Sequence, residues 1–169
     1  MDVVGAPGAF SLRPAAAPDV PELAAVYASA ARVLGPFCYG PEQVAAWARF
    51  GQDTPAFRAY VLDADTWVAV NAAGRLLGFS GIGATGPIGT IAEVNSLYVH
   101  PDQGRRGIGT RLLASGLERA RARGLHRFAA WVTPLSRPVF ERAGFRLVRT
   151  VREPFEGLEF ERYRVELGS

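Results

Sequence analysis

Residues 90 to 132 leave this chain little freedom. TIAEVNSLYV is an apolar stretch of strand length, and His100-Pro101 ends it. Two arginines then stand between glycines at 104 and 107, and a helix begins at once. That helix runs amphipathically from Gly107 to Arg123, Gly124 closes it, and RFAAWV reads as a further strand. Two strands joined through one helix pair side by side in parallel, with a right-handed crossover. The chain is therefore expected to build an α/β sheet around this unit.

The flanking sequence supplies the rest of the sheet. FSLRP at residues 10–14 reads as a first strand, and Asp19-Val-Pro-Glu22 as a capping box opening a helix over 20–34. Gly40-Pro41 opens a second helix through Trp47, and Thr54-Pro55 a third to about Leu62. Residues 66–70 and 76–82 are strands around the turn at Asn71–Gly74. Residues 137–143 form a short helix stopped by Gly144, and 145–151 and 160–167 close the chain as strands.

Composition sets limits. A chain of 169 residues is of single-domain size and buries roughly 70% of its unfolded surface. We expect a flexible tail at 1–9 and one domain over 10–169. No apolar run approaches the ~20 residues that span a bilayer, and MDVVGAPGA lacks the basic start of a signal peptide. One cysteine and two histidines give no intramolecular disulfide and little for a metal site, so no metal is expected. A reducing cytoplasm suits such a chain. All 19 basic residues are arginine, which removes a P-loop, because that loop needs a lysine. The basic balance of +3 invites a nucleic-acid reading, but Glu118 interrupts the arginine-rich helix and no aromatics interleave it. No nucleic-acid or membrane partner is expected.

The glycine–arginine loop has a specific meaning at a helix start. The first turn of a helix leaves backbone N–H groups unpaired and carries partial positive charge. Gly104, Gly107 and Gly109 let an anion approach those amides, and Arg105 and Arg106 add charge, so a pyrophosphate is the implied ligand. The dinucleotide fingerprint G-x-G-x-x-G would require a glycine where Leu112 stands, so it does not apply.

G-R-R-G-I-G after a strand ending LYVHP instead resembles motif A (Q/R-x-x-G-x-G/A) of the GNAT superfamily of acyl-CoA N-acyltransferases. Arg137-Pro-Val-Phe-Glu-Arg-Ala-Gly-Phe145 resembles the family's late F-Y-E-x-x-G-F block. Together with YGPEQVAAW and the ending LEFERYRVEL, these motifs are similar to the YafP-like bacterial branch. The resemblance implies a mostly antiparallel sheet of about seven strands flanked by helices, with acetyl-CoA bound at the strand–loop–helix unit. It implies direct attack of a primary amine on the thioester in a ternary complex. The acceptor is a small molecule or a peptide, and a homodimer is possible. The alternative is a catalytically weak acyl-CoA-binding sensor, because Gly104 replaces the Q/R side chain and Phe140 the family's tyrosine acid.

The resemblance also implies roles. Glu93 is the candidate base, with Asn95 holding a relay water. An amine of pKa near 10.4 is only about 0.04% neutral at pH 7, so such help matters. The competing reading of Glu93 is a solvated residue or an arginine's partner. Backbone N–H groups near Leu97, Tyr98 and Val99 are expected to serve the thioester oxygen and pantetheine. The loop from Gly104 through Ile108 to Thr110 is expected to hold the diphosphate, and Thr133 and Phe140 to border the pantetheine arm. On regular strand alternation Tyr98 points away from the face of Glu93 and Leu97. Arg111, Arg119, Arg121 and Arg123 offer one side chain for the 3′-phosphate. Phe37, Tyr39 and Trp131 are expected to wall the acceptor, with Cys38 a small apolar residue.

Overall fold

The computed structural model describes residues 8–85 and 89–168; residues 1–7 of the expected tail lie outside the described residues. In chain order the elements are β1 (Phe10–Pro14), α1 (Val20–Leu34), α2 (Pro41–Arg49), α3 (Pro55–Leu62), β2 (Asp65–Asn71), β3 (Leu76–Thr85), β4 (Ile91–Val99), α4 (Ile108–Ala122), β5 (Arg127–Val132), α5 (Arg137–Arg142), β6 (Arg146–Phe155) and β7 (Leu158–Leu167). They form one seven-stranded sheet in the order β1-β2-β3-β4-β5-β7-β6. Every neighbouring pair is antiparallel except β4 and β5, which α4 joins in parallel.

Each face of the sheet buries one apolar layer. Leu113, Leu117 and Ala120 of α4 pack with Phe140 of α5 on Ala92, Val94, Phe128, Ala130 and Val165. On the opposite face Leu23, Val26 and Tyr27 of α1 and Phe57 and Val61 of α3 pack on Val68, Val70 and Phe79. The apolar spacing of α1 and α4 places these side chains in one stripe per helix, which is why both helices lie flat on the sheet. Among the described residues, no helix is long and apolar enough to cross a membrane.

The start of α1 and the last two strands differ from the sequence expectation, and β3 runs three residues further, to Thr85. The capping box does not form at Asp19–Glu22. Asp19 instead reaches back one turn, accepting from the Ala16 N–H at 2.8 Å and from Arg13 at 2.8 and 2.9 Å. Glu22 accepts from the Leu76 N–H at 2.8 Å and so ties α1 to β3. The last two strands are longer than expected and meet in a tight hairpin, with Glu156 and Gly157 both left-handed (φ 49° and 77°). Pro154 is tolerated inside β6 because that strand is an edge of the sheet.

Candidate active site

The site begins with an irregularity in β4. Gly81 pairs with Ser96 but Ile82 pairs with Val94, so Asn95 is an extra residue, a β-bulge. The bulge reverses the phase of the strand. Ala92 and Val94 face α4, and after the bulge it is Leu97 that packs on that side. Tyr98 turns to the other face, against Tyr27 at a ring distance of 4.5 Å and Phe79 at 5.4 Å. The expected placement of Tyr98 is therefore corrected: it shares a face with Glu93, and Leu97 lies opposite.

The bulge also parts β4 from β5. Their pairing covers only Ile91–Val94 against Arg127–Ala130, while both strands run on. The N–H of His100 donates to the Leu77 carbonyl at 2.8 Å, which fixes the phase of the β3–β4 ladder. Antiparallel alternation then directs the amides of Leu97 and Val99 away from β3 and into the gap. A cavity of about 500 Å³ runs through this gap, lined from the α4 side by Leu97, Gly109, Thr133, Val139 and Phe140. From the other side it is lined by Tyr27, Trp47, Phe50, Tyr60, Trp131 and Phe160.

At the α4 mouth of the cavity lies the loop 104–107. Arg105 (φ 63°) and Gly107 (φ 73°) are both left-handed. A non-glycine residue in that region costs about 1–2 kcal/mol, and such kinks turn successive amides toward one concavity. The first intrahelical bond runs from Arg111 N–H to the Gly107 carbonyl at 3.0 Å. The amides of Ile108, Gly109 and Thr110 thus have no helical acceptor. Ile108 contributes only backbone, since its side chain is buried beside Leu112. Gly104, Arg105, Arg106 and Thr110 are exposed.

The other anticipated residues fall into two groups. Asn95, Tyr39, Trp131, Thr133 and Phe140 join Leu97, Tyr98, Val99 and Gly109 around the cavity. The hydroxyl of Thr133 is engaged with Ser136 in the turn entering α5, and Phe140 packs edge-on against Phe145 at 5.1 Å. Phe37 and Glu93 stand apart. Phe37 is 78% exposed and off the cavity wall, because the turn between α1 and α2 carries it outward. Glu93 is no free carboxylate: Arg164 Nη1 donates to both of its oxygens at 2.7 and 2.9 Å, with the side chains only 15% and 14% exposed. The arginine partnership weighed for Glu93 is what the fold builds.

The arginines of α4 are likewise committed. Arg119 and Arg123 pair with Asp65 at 3.2 and 3.1 Å, Arg119 stacks on Trp67, and Arg111 and Arg121 lie over Phe10 and Phe128. Burial raises the Cys38 thiol to about 11, so it is a poor nucleophile at neutral pH.

Several cavity residues carried no signal in the sequence. Tyr27, Trp47 and Tyr60 come from three helices whose spacing marks them only as inward-facing, and Phe50 from the turn that ends α2. Burial pushes the hydroxyls of Tyr27 and Tyr60 well above their usual range and raises that of Tyr98, so all three stay protonated. Tyr60 donates to the Asn95 carbonyl at 2.9 Å and holds the bulge. Around Trp131 stand the guanidiniums of Arg149, Arg162 and Arg164, 5.2, 5.8 and 5.2 Å from the ring centre. Glu153 pairs with Arg162, and Arg149 sits directly across from Arg164 in the β6–β7 ladder.

Comparison with known proteins agrees with this architecture. Residues 28–145 match the Acetyltransferase (GNAT) family. An L-methionine sulfoximine/L-methionine sulfone acetyltransferase of Pseudomonas aeruginosa is 36% identical over 124 residues, which is 69% of this chain and 66% of that enzyme. The matched segment thus spans just under two thirds of that relative's length. The uncharacterized N-acetyltransferase YafP of Escherichia coli is 26% identical over 86% of this chain and 87% of its own. Among solved structures, a GCN5-related N-acetyltransferase from Rhodopseudomonas palustris superposes with a TM-score of 0.84 at 25% identity, covering 94% of this chain and 95% of that one. The PaiA N-acetyltransferase of Thermoplasma acidophilum, solved with coenzyme A, superposes at 0.76 and 17% identity over 95% and 99% of the two chains.

Proposed function

The chain belongs to the GNAT family of acetyltransferases, and on that premise we propose that it transfers an acetyl group from acetyl-CoA to the primary amine of a small acceptor. The observation that carries this reading is the single cavity threading the β4–β5 gap from the α4 N-terminus to the aromatic chamber.

The residues present fit the donor. Unpaired amides at 108–110 beside two left-handed residues suit a diphosphate, with Arg105 and Arg106 adding charge. Leu97, Val99, Thr133 and Phe140 border the narrow part of the cavity, where a pantetheine arm would lie. Bound acetyl-CoA supplies an activated thioester. The N–H groups of Leu97 and Val99 are aimed where the thioester oxygen would gain charge, and one such donor typically contributes ~10²–10³ in rate. The departing thiolate needs no acid: a thiol near pKa 8.5 leaves without the tyrosine that Phe140 replaces.

Glu93 acts here as a positioning residue, orienting Arg164 over Trp131. The acceptor's proton leaves through water along Asn95.

The chamber favours an amine with an apolar body, for which Tyr39, Trp47, Tyr60, Trp131 and Phe160 offer the walls. Arg149 makes no ion pair among the described residues and lies 5.2 Å from the ring centre of Trp131, which lines the chamber, so a carboxylate reaching past Trp131 would meet this cation. An amino-acid-like acceptor, of the kind named for the Pseudomonas relative, fits both features.

The test is a coenzyme A release assay with acetyl-CoA against an amine panel. It includes L-methionine sulfoximine, L-methionine sulfone, amines without a carboxylate, polyamines and a short peptide. Turnover of small amines with apolar bodies is expected. Absence of turnover across the panel, with acetyl-CoA still raising Tm, would favour a non-catalytic acyl-CoA sensor. At 100 times Kd a ligand stabilises by about 2.7 kcal/mol, so binding is readable by melting alone.

A further inference from the structure

The acceptor chamber is aromatic on most sides, yet two charged side chains enter it. Among the described residues on the cavity wall, Glu153 and Arg162 alone carry a charge. Both belong to the β6–β7 hairpin, and they pair through Arg162 Nη1 and Glu153 Oε2 at 2.9 Å. Ions beside an apolar cavity give up part of their hydration, so a pair placed there calls for an explanation.

The sheet directs Arg162 inward. β5 pairs with β7 only as far as Val132 opposite Tyr163, so from Arg162 toward Leu158 β7 has no strand on that side. The guanidinium lies 5.8 Å from the ring centre of Trp131. Burial raises the hydroxyls of Tyr39, Tyr60 and Tyr98, and the charge of Arg162 opposes that rise in all three. Arg162 therefore acts on the helical wall of the chamber as well as on β5.

Most of its donors are unused. Only Nη1 is engaged, by Glu153; Nε and Nη2 make no hydrogen bond among the described residues. Those two nitrogens share one edge of the fork, and such an edge matches the two oxygens of a carboxylate. The neighbourhood also tolerates an anion. Arg149, on the same indole at 5.2 Å, makes no ion pair among the described residues and offsets a second carboxylate beside Glu153.

We propose that Arg162 selects the acceptor: its free Nε–Nη2 edge takes the α-carboxylate of an amino acid with an apolar side chain, while Glu153 fixes the guanidinium from the other side. The inference rests on the acetyltransfer reading and narrows its acceptor. The α-amine, one carbon from that carboxylate, turns to the β4–β5 gap, and the side chain lies along Tyr39, Trp47 and Phe160. An amine without the anion gains only the walls.

The test compares L-methionine sulfone with its methyl ester and its decarboxylated amine. Wild type is expected to show a KM at least tenfold lower for the acid than for either carboxylate-free amine. Arg162→Gln should raise the KM of the acid about thirtyfold, as loss of hydrogen bonds to a charged group implies, and move the KM of the ester, the amine and acetyl-CoA less than threefold. Arg149→Gln removes an exposed, screened charge and should cost the acid no more than about threefold. Equal or better use of the carboxylate-free amines by wild type would overturn the inference, as would an equal loss for all three in Arg162→Gln. A larger loss in Arg149→Gln would put the carboxylate at the edge strand and overturn it too. Should Arg162→Gln fail to fold, Arg162→Lys, which keeps the charge and loses the fork, is read by the same rule. If nothing in the amine panel is acetylated, the acetyltransfer reading fails, and calorimetric titration of L-methionine sulfone with and without coenzyme A still judges Arg162. Binding abolished by Arg162→Gln keeps the carboxylate site; no binding, or binding that the variant leaves unchanged, overturns it.

Discussion

Replacing Glu93 by glutamine separates two meanings of one carboxylate. As a general base, Glu93 would contribute ~10²–10⁴ in rate, and the amide would abolish that contribution. In the fold its oxygens accept from one Arg164 nitrogen at 2.7 and 2.9 Å, and the cavity wall passes it by. Glutamine keeps one acceptor oxygen for Arg164, so the change converts a charge-assisted bond to a neutral one, a loss of about 1–1.5 kcal/mol. For a chain of this size that lowers Tm by about 2–6 °C. The expected kinetic cost is under about tenfold in kcat, with the rising limb of the pH–rate profile unmoved, since that limb belongs to the acceptor amine. Arg164→Met is the harsher change. It leaves Glu93 charged, 15% exposed and without its partner, which costs about 3 kcal/mol. The assay is coenzyme A release between pH 6 and 10 alongside thermal melting. A fall of a hundredfold or more in kcat for Glu93→Gln, with Tm within about 1 °C of wild type and the rising limb lost, would refute the argument.

Three further outcomes are expected. The Arg13 guanidinium holds the Asp19 carboxyl below its usual 3.8; burial opposes ionisation of Asp65, but Arg119 and Arg123 outweigh it and lower that carboxyl too. Both therefore add stability that is full above about pH 4 and lost as pH falls through their lowered values, so Asp65→Asn should flatten the acid side of a Tm–pH curve. Gly107→Val places a β-branched residue at φ 73°, costing about 1–2 kcal/mol, and should weaken coenzyme A binding about tenfold in calorimetry; unchanged affinity would remove the loop from the site. Phe140→Tyr should change kcat by less than about threefold, because the thiolate leaves unaided; a tenfold gain would show that the missing hydroxyl matters.

What could be read beforehand divides along a physical line. Helices and strands declared themselves because apolar spacing and Gly/Pro punctuation are local, and the pair 91–99 and 127–132 bracketing α4 dictated the crossover. The turn that opens α4 was equally legible, since glycines at 104 and 107 ahead of an amphipathic run mark a helix start by local chemistry. The bulge was not: IAEVNSLYV alternates acceptably as a regular strand, and one extra residue leaves no mark until β3 is laid beside it. That is why Tyr98 was placed on the wrong face. The arginine partners were hidden for a similar reason, since Glu93 and Arg164 stand 71 positions apart and meet only because β7 inserts beside β5. Phe37 was expected at the acceptor wall because the resembled family builds that wall between its first two helices, yet a short turn carries Phe37 out and Tyr39 in.

The short overlap of β4 with β5 has a mechanical side. Only four residue pairs stitch the β1–β4 half of the sheet to the β5–β7–β6 half, so the molecule is built like a clothes-peg with α4 as its spring. A guest wedged between the jaws would hold both at once. Amide hydrogens in β5 and β7 should then exchange more slowly when coenzyme A is present, although neither strand belongs to the loop proposed for the diphosphate.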